Sequence, residues 1–237
     1  MQKVVDGILV NFEQIGQEKK DAVILPGWKA SIAEWLPIAE SMTDKYRVTV
    51  IDFPGFGASE SPPKNWGIFE YAQITKHLLE KLGIRKTTII GHSFGGRIGI
   101  LLAANTDVVE KLVLVDGAGM EIKDSWTRVI KFLSLTAAFM PEFIKQKVRS
   151  SDYEQAGELR EIMKRIVNQP LRGELMKIKV PTLIIWGEKD RVLSIKEADM
   201  LVTGIKESVL RIVWGSGHWP HVEKRDELIR IFKEENV

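Results

Sequence analysis

Short apolar runs alternate with segments of helical periodicity along most of this chain. Strand-like runs rich in Val, Ile and Leu occupy residues 8–12, 22–25, 48–51, 87–90, 112–115, 183–186 and 209–213. Between them, apolar residues recur at helical spacing over residues 35–42, 71–82, 94–104, 195–202 and 228–232. Strands separated by helices pair in parallel, and continuous apolar runs suit strands that are covered on both faces. The pattern therefore predicts an α/β fold with a mostly parallel sheet.

The alternation is interrupted once, between Gly119 and Val180. This interval of about 60 residues is longer than an ordinary connection between secondary-structure elements. Residues 126–140 and 153–167 within it have helical patterns. We therefore predict one domain with an inserted helical cap, in which residues 1–119 and 180–237 form the core and residues 120–179 the cap.

The overall charge and the first residues limit the classes of partner and location. Lys and Arg number 34 and Asp and Glu 32, so the chain lacks the strong positive charge that nucleic-acid-binding proteins carry. The absence of cysteine excludes disulfides, thiolate metal sites and a cysteine nucleophile. Residues 1–7 include an acid where a signal peptide needs an apolar stretch, and no later segment approaches about 18 uninterrupted apolar residues. We expect a soluble, cytoplasmic protein that binds neither nucleic acid nor a membrane.

A glycine-rich motif, Gly-His-Ser-Phe-Gly-Gly at residues 91–96, lies between a strand-like run and a helical pattern. A sharp turn from strand to helix exposes a serine hydroxyl and directs backbone N–H groups towards the same point. Gly91 and Gly95 lack the Cβ atoms that would collide where strand and helix cross. The sequence therefore predicts that Ser93 is a nucleophile.

Further motifs are Leu-Pro-Gly-Trp at residues 25–28, Asp-Phe-Pro-Gly-Phe-Gly-Ala-Ser at 52–59, Trp-Gly-Glu-Lys-Asp at 186–190 and Gly-Ser-Gly-His at 215–218. Together with the serine motif, they resemble the α/β-hydrolase family, in particular its small serine esterases and C–C hydrolases with a helical cap. The resemblance runs almost from end to end. It implies an α/β-hydrolase fold with about eight strands flanked by helices, and a catalytic triad in the chain order nucleophile, acid, histidine.

The resemblance assigns the triad to Ser93, Asp190 and His218, each of which follows a strand-like run. His218 would take the proton of Ser93 as general base, because imidazole has an unperturbed pKa close to neutrality. Asp190 would orient the imidazole and stabilise its protonated form. Asp116 also follows a strand-like run and is the one alternative candidate for the acid.

The oxyanion hole is expected to combine the backbone N–H of Phe94 with that of Trp28. The second donor rests on the resemblance. Family members often have His before the glycine of this loop, whereas this chain has Pro26. Proline has no N–H, but the expected donor lies two residues further on, so the hole should survive while the anchoring of the loop is in question.

The other polar candidates have simpler interpretations. His92 is expected to be structural, His77 to lie on a solvated helix face, and Arg97 to take part in packing or a salt bridge. His221 follows His218 by three residues, but a third ligand is missing, so we expect no metal. The chain has no dinucleotide-binding motif, and hydrolysis by a triad needs only water, so we expect no cofactor.

Substrate choice is expected to depend on the cap, where apolar side chains could line an acyl pocket together with two residues of the core. The candidate substrate-binding residues are Trp28, Trp126, Phe132, Leu133, Phe139, Met140 and Trp219. Many of the cap residues could instead seat the cap on the core. Residues 123–149 contain six basic and two acidic side chains, an excess that could attract an acidic carrier protein or simply form a solvated helical face.

Three functions remain open on the sequence. The leading one is hydrolysis of carboxylic esters with short to medium acyl chains through an acyl-enzyme. The others are C–C bond hydrolysis of a ring-fission (meta-cleavage) product by the same triad, and a non-enzymatic receptor that retains the fold. A complete triad favours an enzyme, and a methyl esterase that acts on a carrier protein is a further variant of the first function. The sequence does not indicate an oligomeric state.

Overall fold

A computed structural model describes residues 1–120 and 151–237 of the chain. Its eight strands form one sheet in the order β1-β2-β4-β3-β5-β6-β7-β8. The strands are β1 (Gln2–Val5), β2 (Ile8–Ile15), β3 (Asp21–Leu25), β4 (Arg47–Asp52), β5 (Thr87–His92), β6 (Val109–Val115), β7 (Thr182–Gly187) and β8 (Ser208–Val213). β1 and β2 are antiparallel to their neighbours, and all other pairs are parallel. The predicted α/β fold with a mostly parallel sheet is confirmed.

Helices cover both faces of this sheet. In the part of the chain that the structure describes they are α1 (Ile32–Glu40), α2 (Ile68–Lys81), α3 (Phe94–Asn105), α4 (Ser151–Val167), α5 (Ile195–Gly204), α6 (Pro220–Glu223) and α7 (Arg225–Glu234), with a 3₁₀ helix at Arg172–Lys177. None of these helices has the length and apolar character to cross a bilayer. Each helix predicted within the described residues is present, with ends shifted by a few residues, which is the usual uncertainty of sequence patterns.

Successive residues of the central strands face opposite sides of the sheet. Val23 and Leu25 of β3 are buried in the cluster that includes residues of α2 and α3. Ala22 and Ile24 are buried in the second cluster, with residues of α1 and α7. Because both faces are covered, buried side chains follow one another along the middle of these strands, as at residues 22–25 of β3, which explains why the strands appear in the sequence as continuous apolar runs.

The two outer parts of the sheet differ from the sequence expectation. β1 was not predicted, although Asp6 and Gly7 form a tight turn with φ of 51° and 82° that pairs it with β2. An Asp-Gly pair between strand residues is a strong hairpin signal, so the sequence did contain this information. β8 alternates between partly buried and exposed residues up to Ile212, and no strand pairs with its outer edge in the described sheet.

The C-terminal part of the predicted cap segment is integrated into the core. The helix predicted at residues 153–167 is α4, and its Ile162 and Ile166 are buried in the main cluster. Arg97 of α3 is 7% exposed and donates hydrogen bonds from Nη1 to the carbonyl oxygens of Ile166 (3.1 Å) and Gln169 (3.0 Å). Burial lowers the pKa of Arg97 to about 10, so it is still charged at neutral pH. The helix predicted at residues 126–140 is outside the described part, and the boundaries of the cap stay a prediction.

Candidate active site

Ser93 occupies a sharp turn between β5 and α3. Its backbone has φ of 48° and ψ of −109°, a strained conformation for a residue with a side chain. A Cβ on Gly91 would lie 2.6 Å from the carbonyl oxygen of Gly95, and a Cβ on Gly95 would lie 1.9 Å from that of Leu25. Both positions therefore require glycine. The N–H of Ser93 donates to Val115 at 3.1 Å, which attaches the turn to the end of β6.

Ser93, His218 and Asp190 form a continuous chain of hydrogen bonds. His218 Nε2 lies 3.0 Å from Ser93 Oγ, and His218 Nδ1 lies 2.8 Å from Asp190 Oδ2. The His218 and Asp190 side chains are 5% and 1% exposed, so this pair is shielded from water. The three residues follow β5, β7 and β8, whose carboxyl ends meet at one edge of the parallel sheet. The structure therefore brings together the residues that the sequence motifs assigned to a triad.

Two carboxyl groups compete for the acid position, and their contacts differ. Asp190 Oδ2 contacts His218, while Oδ1 accepts the N–H groups of Val192 (2.7 Å) and Leu193 (2.9 Å). Asp116, at the end of β6, accepts the N–H of Gly187 at 2.9 Å. Asp190 is therefore the carboxyl group that hydrogen-bonds to the histidine in this geometry.

The loop that follows β3 packs directly against the serine turn. A Cβ on Gly27 would lie 2.7 Å from His92 Nδ1 and 3.7 Å from Ser93 Cβ, so the loop backbone runs beside the nucleophile. The Trp28 ring contacts Phe94 edge to face, with centroids 5.2 Å apart. This neighbourhood supports the two N–H donors expected for an oxyanion hole, at Trp28 and Phe94, whose role stays a prediction.

A family profile described as an alpha/beta hydrolase fold matches residues 23–143. The chain belongs to this family. The hydrolase is 23% identical to a 2-hydroxy-6-oxononadienedioate/2-hydroxy-6-oxononatrienedioate hydrolase of Paraburkholderia phymatum, over 94% of this chain and 90% of that protein.

Solved structures of the same fold include the enol-lactonase of Burkholderia xenovorans LB400, with 21% identity and a TM-score of 0.83 over 99% of this chain and 98% of that one. An esterase of Exiguobacterium antarcticum has 22% identity and a TM-score of 0.80, over 98% and 96%. The expected membership of the α/β-hydrolase family and the fold that it implies are thus confirmed.

Asp52 fixes the far end of the loop that contains Trp28. Its Oδ1 accepts the N–H of Ile32 at the start of α1 (3.0 Å), and its Oδ2 accepts the N–H of Ala58 (3.0 Å) and the side-chain amide of Asn11 (2.8 Å). Asp52 begins one of the motifs that carry the family resemblance, but no local pattern predicts this anchoring role. The hydrolase thus anchors this loop at the Ile32 end through Asp52, whatever the effect of Pro26 at its other end.

Two further histidines, His92 and His221, pack together on the protein-interior side of the site, and the His92 ring lies next to that of His218. His92 Nε2 donates to the carbonyl oxygen of His218 at 2.8 Å, which fits the structural role expected for His92. His221 is fully buried, and its ring stacks on Trp35 with centroids 4.1 Å apart. Burial lowers the pKa of His92 well below its ordinary value and that of His221 to about 3, with the neighbouring histidines adding to the effect. Both imidazoles are therefore neutral in the folded hydrolase near neutral pH.

Only two of the residues expected to bind substrate can be located. Trp28 lies between Phe56 and Phe94, and the Trp219 ring contacts His218 edge to face at 5.2 Å. Trp219 thus contacts a triad residue and Trp28 contacts the residue next to Ser93, while their role in substrate binding stays a prediction. The rest of that set lies in the segment outside the described residues, together with the basic stretch at residues 123–149: Trp126, Phe132, Leu133, Phe139 and Met140.

One group of possible metal ligands occurs within the described residues, and it coincides with the triad. One polar atom each of Asp116, Asp190 and His218 lies within 4.8 Å of the others. The His218 Nδ1 and Asp190 Oδ2 atoms form a hydrogen bond with each other and so are not directed at a common metal position. This arrangement suits proton transfer better than metal binding.

Proposed function

We propose that this protein is a serine hydrolase that cleaves carboxylic esters of short to medium acyl chains through an acyl-enzyme on Ser93. The observation that carries the proposal is the hydrogen-bond chain from Ser93 through His218 to Asp190. A serine hydroxyl is a weak nucleophile alone, and an adjacent imidazole that is itself oriented by a carboxylate activates it.

We assign a residue to each step of the reaction. Ser93 Oγ attacks the ester carbonyl while its proton passes to His218 Nε2, and Asp190 stabilises the imidazolium that forms. The N–H groups of Phe94 and Trp28 receive the negative charge of the tetrahedral intermediate. His218 returns the proton to the departing alcohol, and water activated by His218 then hydrolyses the acyl-enzyme to release the acid and regenerate Ser93.

The second candidate is hydrolysis of a C–C bond. The activity in the name of the Paraburkholderia phymatum relative favours it. The same triad can serve both reactions, but a carbon leaving group must first become able to carry the departing electron pair, whereas an alkoxide needs one proton. Ester hydrolysis therefore needs no group beyond the triad and the oxyanion donors, and for this reason it is the leading proposal.

The test combines a nucleophile variant with a substrate panel. We expect Ser93→Ala to lower kcat by more than about a hundredfold on its best substrate and to lose labelling by a serine-directed phosphonate. Ser208→Ala, at the opposite end of the sheet on β8, is the matched control and should keep both properties. Labelling that persists in Ser93→Ala would refute the nucleophile. Cleavage of a dienoate diketone without turnover of any aryl ester would replace the first candidate by the second.

Acyl-chain preference tests the proposed substrate range. A cap within residues 120–179, whose C-terminal part packs on the core, can enclose only a modest apolar chain, and burial of one CH₂ is worth roughly 0.8 kcal/mol. We expect kcat/KM to rise by at most about fourfold per carbon across a p-nitrophenyl ester series and then to fall at medium length. A maximum at palmitate, with activation at an oil–water interface, would indicate a lipase instead.

A further inference from the structure

Asp116 is a buried carboxyl group that the proposed mechanism does not use. It follows β6, the strand that separates the Ser93 strand from the Asp190 strand, and its φ of 43° is strained for a residue other than glycine. The residue is 0% exposed. Its Oδ1 accepts the N–H of Gly187 at 2.9 Å, whereas no group among residues 1–120 and 151–237 donates a hydrogen bond to its Oδ2, and the carboxyl group of Asp190 is close enough to share a proton with Asp116.

The titratable groups that face Asp116 come from three neighbouring segments. Asp190 follows β7, His218 follows β8, and Glu223 belongs to α6. Polar atoms of Asp116, Asp190 and His218 lie within 4.8 Å of one another in a site that is shielded from water. Two carboxyl groups this close in a dry environment cannot both be ionised without a large penalty.

The hydrogen bonds indicate which carboxyl group holds the proton. Asp190 is bonded to three N–H groups, those of Val192, Leu193 and His218, and such bonds favour the charged form. Asp116 accepts a single N–H, and no group among the described residues donates to its second oxygen. In support of this assignment, burial and the charge of Asp190 raise the pKa of Asp116 well above its ordinary value.

We propose that Asp116 is held as a neutral carboxylic acid, that its proton on Oδ2 is donated to the neighbouring carboxylate of Asp190, and that Asp116 thereby acts as a positioning residue for Asp190. This proposal rests on the proposed triad. A neutral group behind Asp190 supports the carboxylate without adding a second negative charge beside His218. An ionised Asp116 would favour the protonated imidazole, and a protonated His218 cannot accept the proton of Ser93. The neutrality of Asp116 thus keeps the general base available.

The protonation state can be measured without any substrate. The infrared difference spectrum of the wild-type protein minus Asp116→Asn at pH 7 should contain the C=O stretch of a protonated carboxyl group. Ser93→Ala minus the double variant Ser93→Ala, Asp116→Asn should contain the same band. This readout is independent of catalysis, so it tests the proposal even if the proposed function fails. Absence of the band would overturn the proposal.

The positioning role is tested by the rate of phosphonate labelling of Ser93 as a function of pH. Asp116→Asn keeps a neutral side chain that can accept from Gly187, and it should label within about threefold of the wild-type rate with the acidic limb of the profile in the same place. Asp116→Ala removes the support of Asp190 and should slow labelling by more than about tenfold.

Asp190→Asn provides the comparison for these rates. If Asp116→Asn lowers the labelling rate as much as Asp190→Asn does, Asp116 acts in its charged form and the proposal is overturned. Wild-type labelling by Asp116→Ala would also overturn it. If Asp116→Ala does not fold, as judged by circular dichroism, the infrared band and the Asp116→Asn profile decide the question.

Discussion

Replacing Gly95 by alanine tests how closely the serine turn and the loop after β3 must approach each other. The added Cβ would lie 1.9 Å from the carbonyl oxygen of Leu25 and 2.7 Å from that of Pro26. Real Cβ atoms essentially never come within 3.0 Å of such atoms, so the two backbone segments must separate by more than 1 Å. Neither clashing atom belongs to a flexible side chain, so the strain cannot be relieved by a rotamer change.

The expected change in stability follows from two opposing effects. Overpacking of this kind costs about 3 kcal/mol or more when backbone must move, while alanine is favoured over glycine in a helix by up to about 1 kcal/mol. The net loss in the free energy of unfolding should therefore be about 2 kcal/mol or more. The displaced loop includes Trp28, and a 1 Å error in the position of an oxyanion donor should lower the labelling or turnover rate by about a hundredfold.

Gly173 supplies the matched control for this experiment. A Cβ at Gly173, in the 3₁₀ helix, would have no neighbour within 4 Å. Gly173→Ala should therefore be neutral or stabilising by up to about 1 kcal/mol. Urea unfolding followed by circular dichroism measures both variants. If Gly95→Ala matches the stability of Gly173→Ala, or retains the wild-type rate, the contact with Leu25 does not constrain the site and the reasoning is refuted.

Three further outcomes are expected. Asp190→Asn should lower kcat by up to about 10⁴-fold, because His218 loses the group that sets its tautomer; a loss below tenfold in ester kinetics would contradict this. Because the pKa of His221 falls from 6.5 to about 3 on folding, the unfolded chain binds its proton first, and stability should fall as the pH decreases from about 6.5 towards 3. His221→Phe should reduce that slope by about one proton, or 1.4 kcal/mol per pH unit, and an unchanged slope in urea unfolding between pH 4 and 6 would refute the assignment. Arg97→Met should destabilise the fold by about 3 kcal/mol because a buried and a partly buried carbonyl group lose their donor, whereas exposed Arg230→Met should show no measurable change in the same assay; equal effects would contradict a stabilising role of the Arg97 hydrogen bonds.

Local signals were enough to predict most of the sheet and the serine turn. Residues 87–90 and 112–115 are β-branched or apolar at every position because both faces of their strands are covered, and this pattern can be recognised without the fold. The need for glycine at residues 91 and 95 also arises within a few residues of Ser93. β1 was missed because its four residues are mostly exposed and have no apolar pattern, although the Asp-Gly turn signalled a hairpin.

The sequence by itself determined which side chains reach the carboxyl edge of the sheet, because each follows an apolar strand run and the strands are parallel. Asp116 and Asp190 both satisfy that condition, so their different roles could not be separated by pattern. The family resemblance favoured Asp190, but only the tertiary structure shows which carboxyl group contacts the histidine, since the contacts that distinguish the two join residues far apart in the chain: Asp190 with His218, and Asp116 with the N–H of Gly187. The neutral state of His221 was likewise hidden, because burial against Trp35 is a property of the packed core and leaves no local signal.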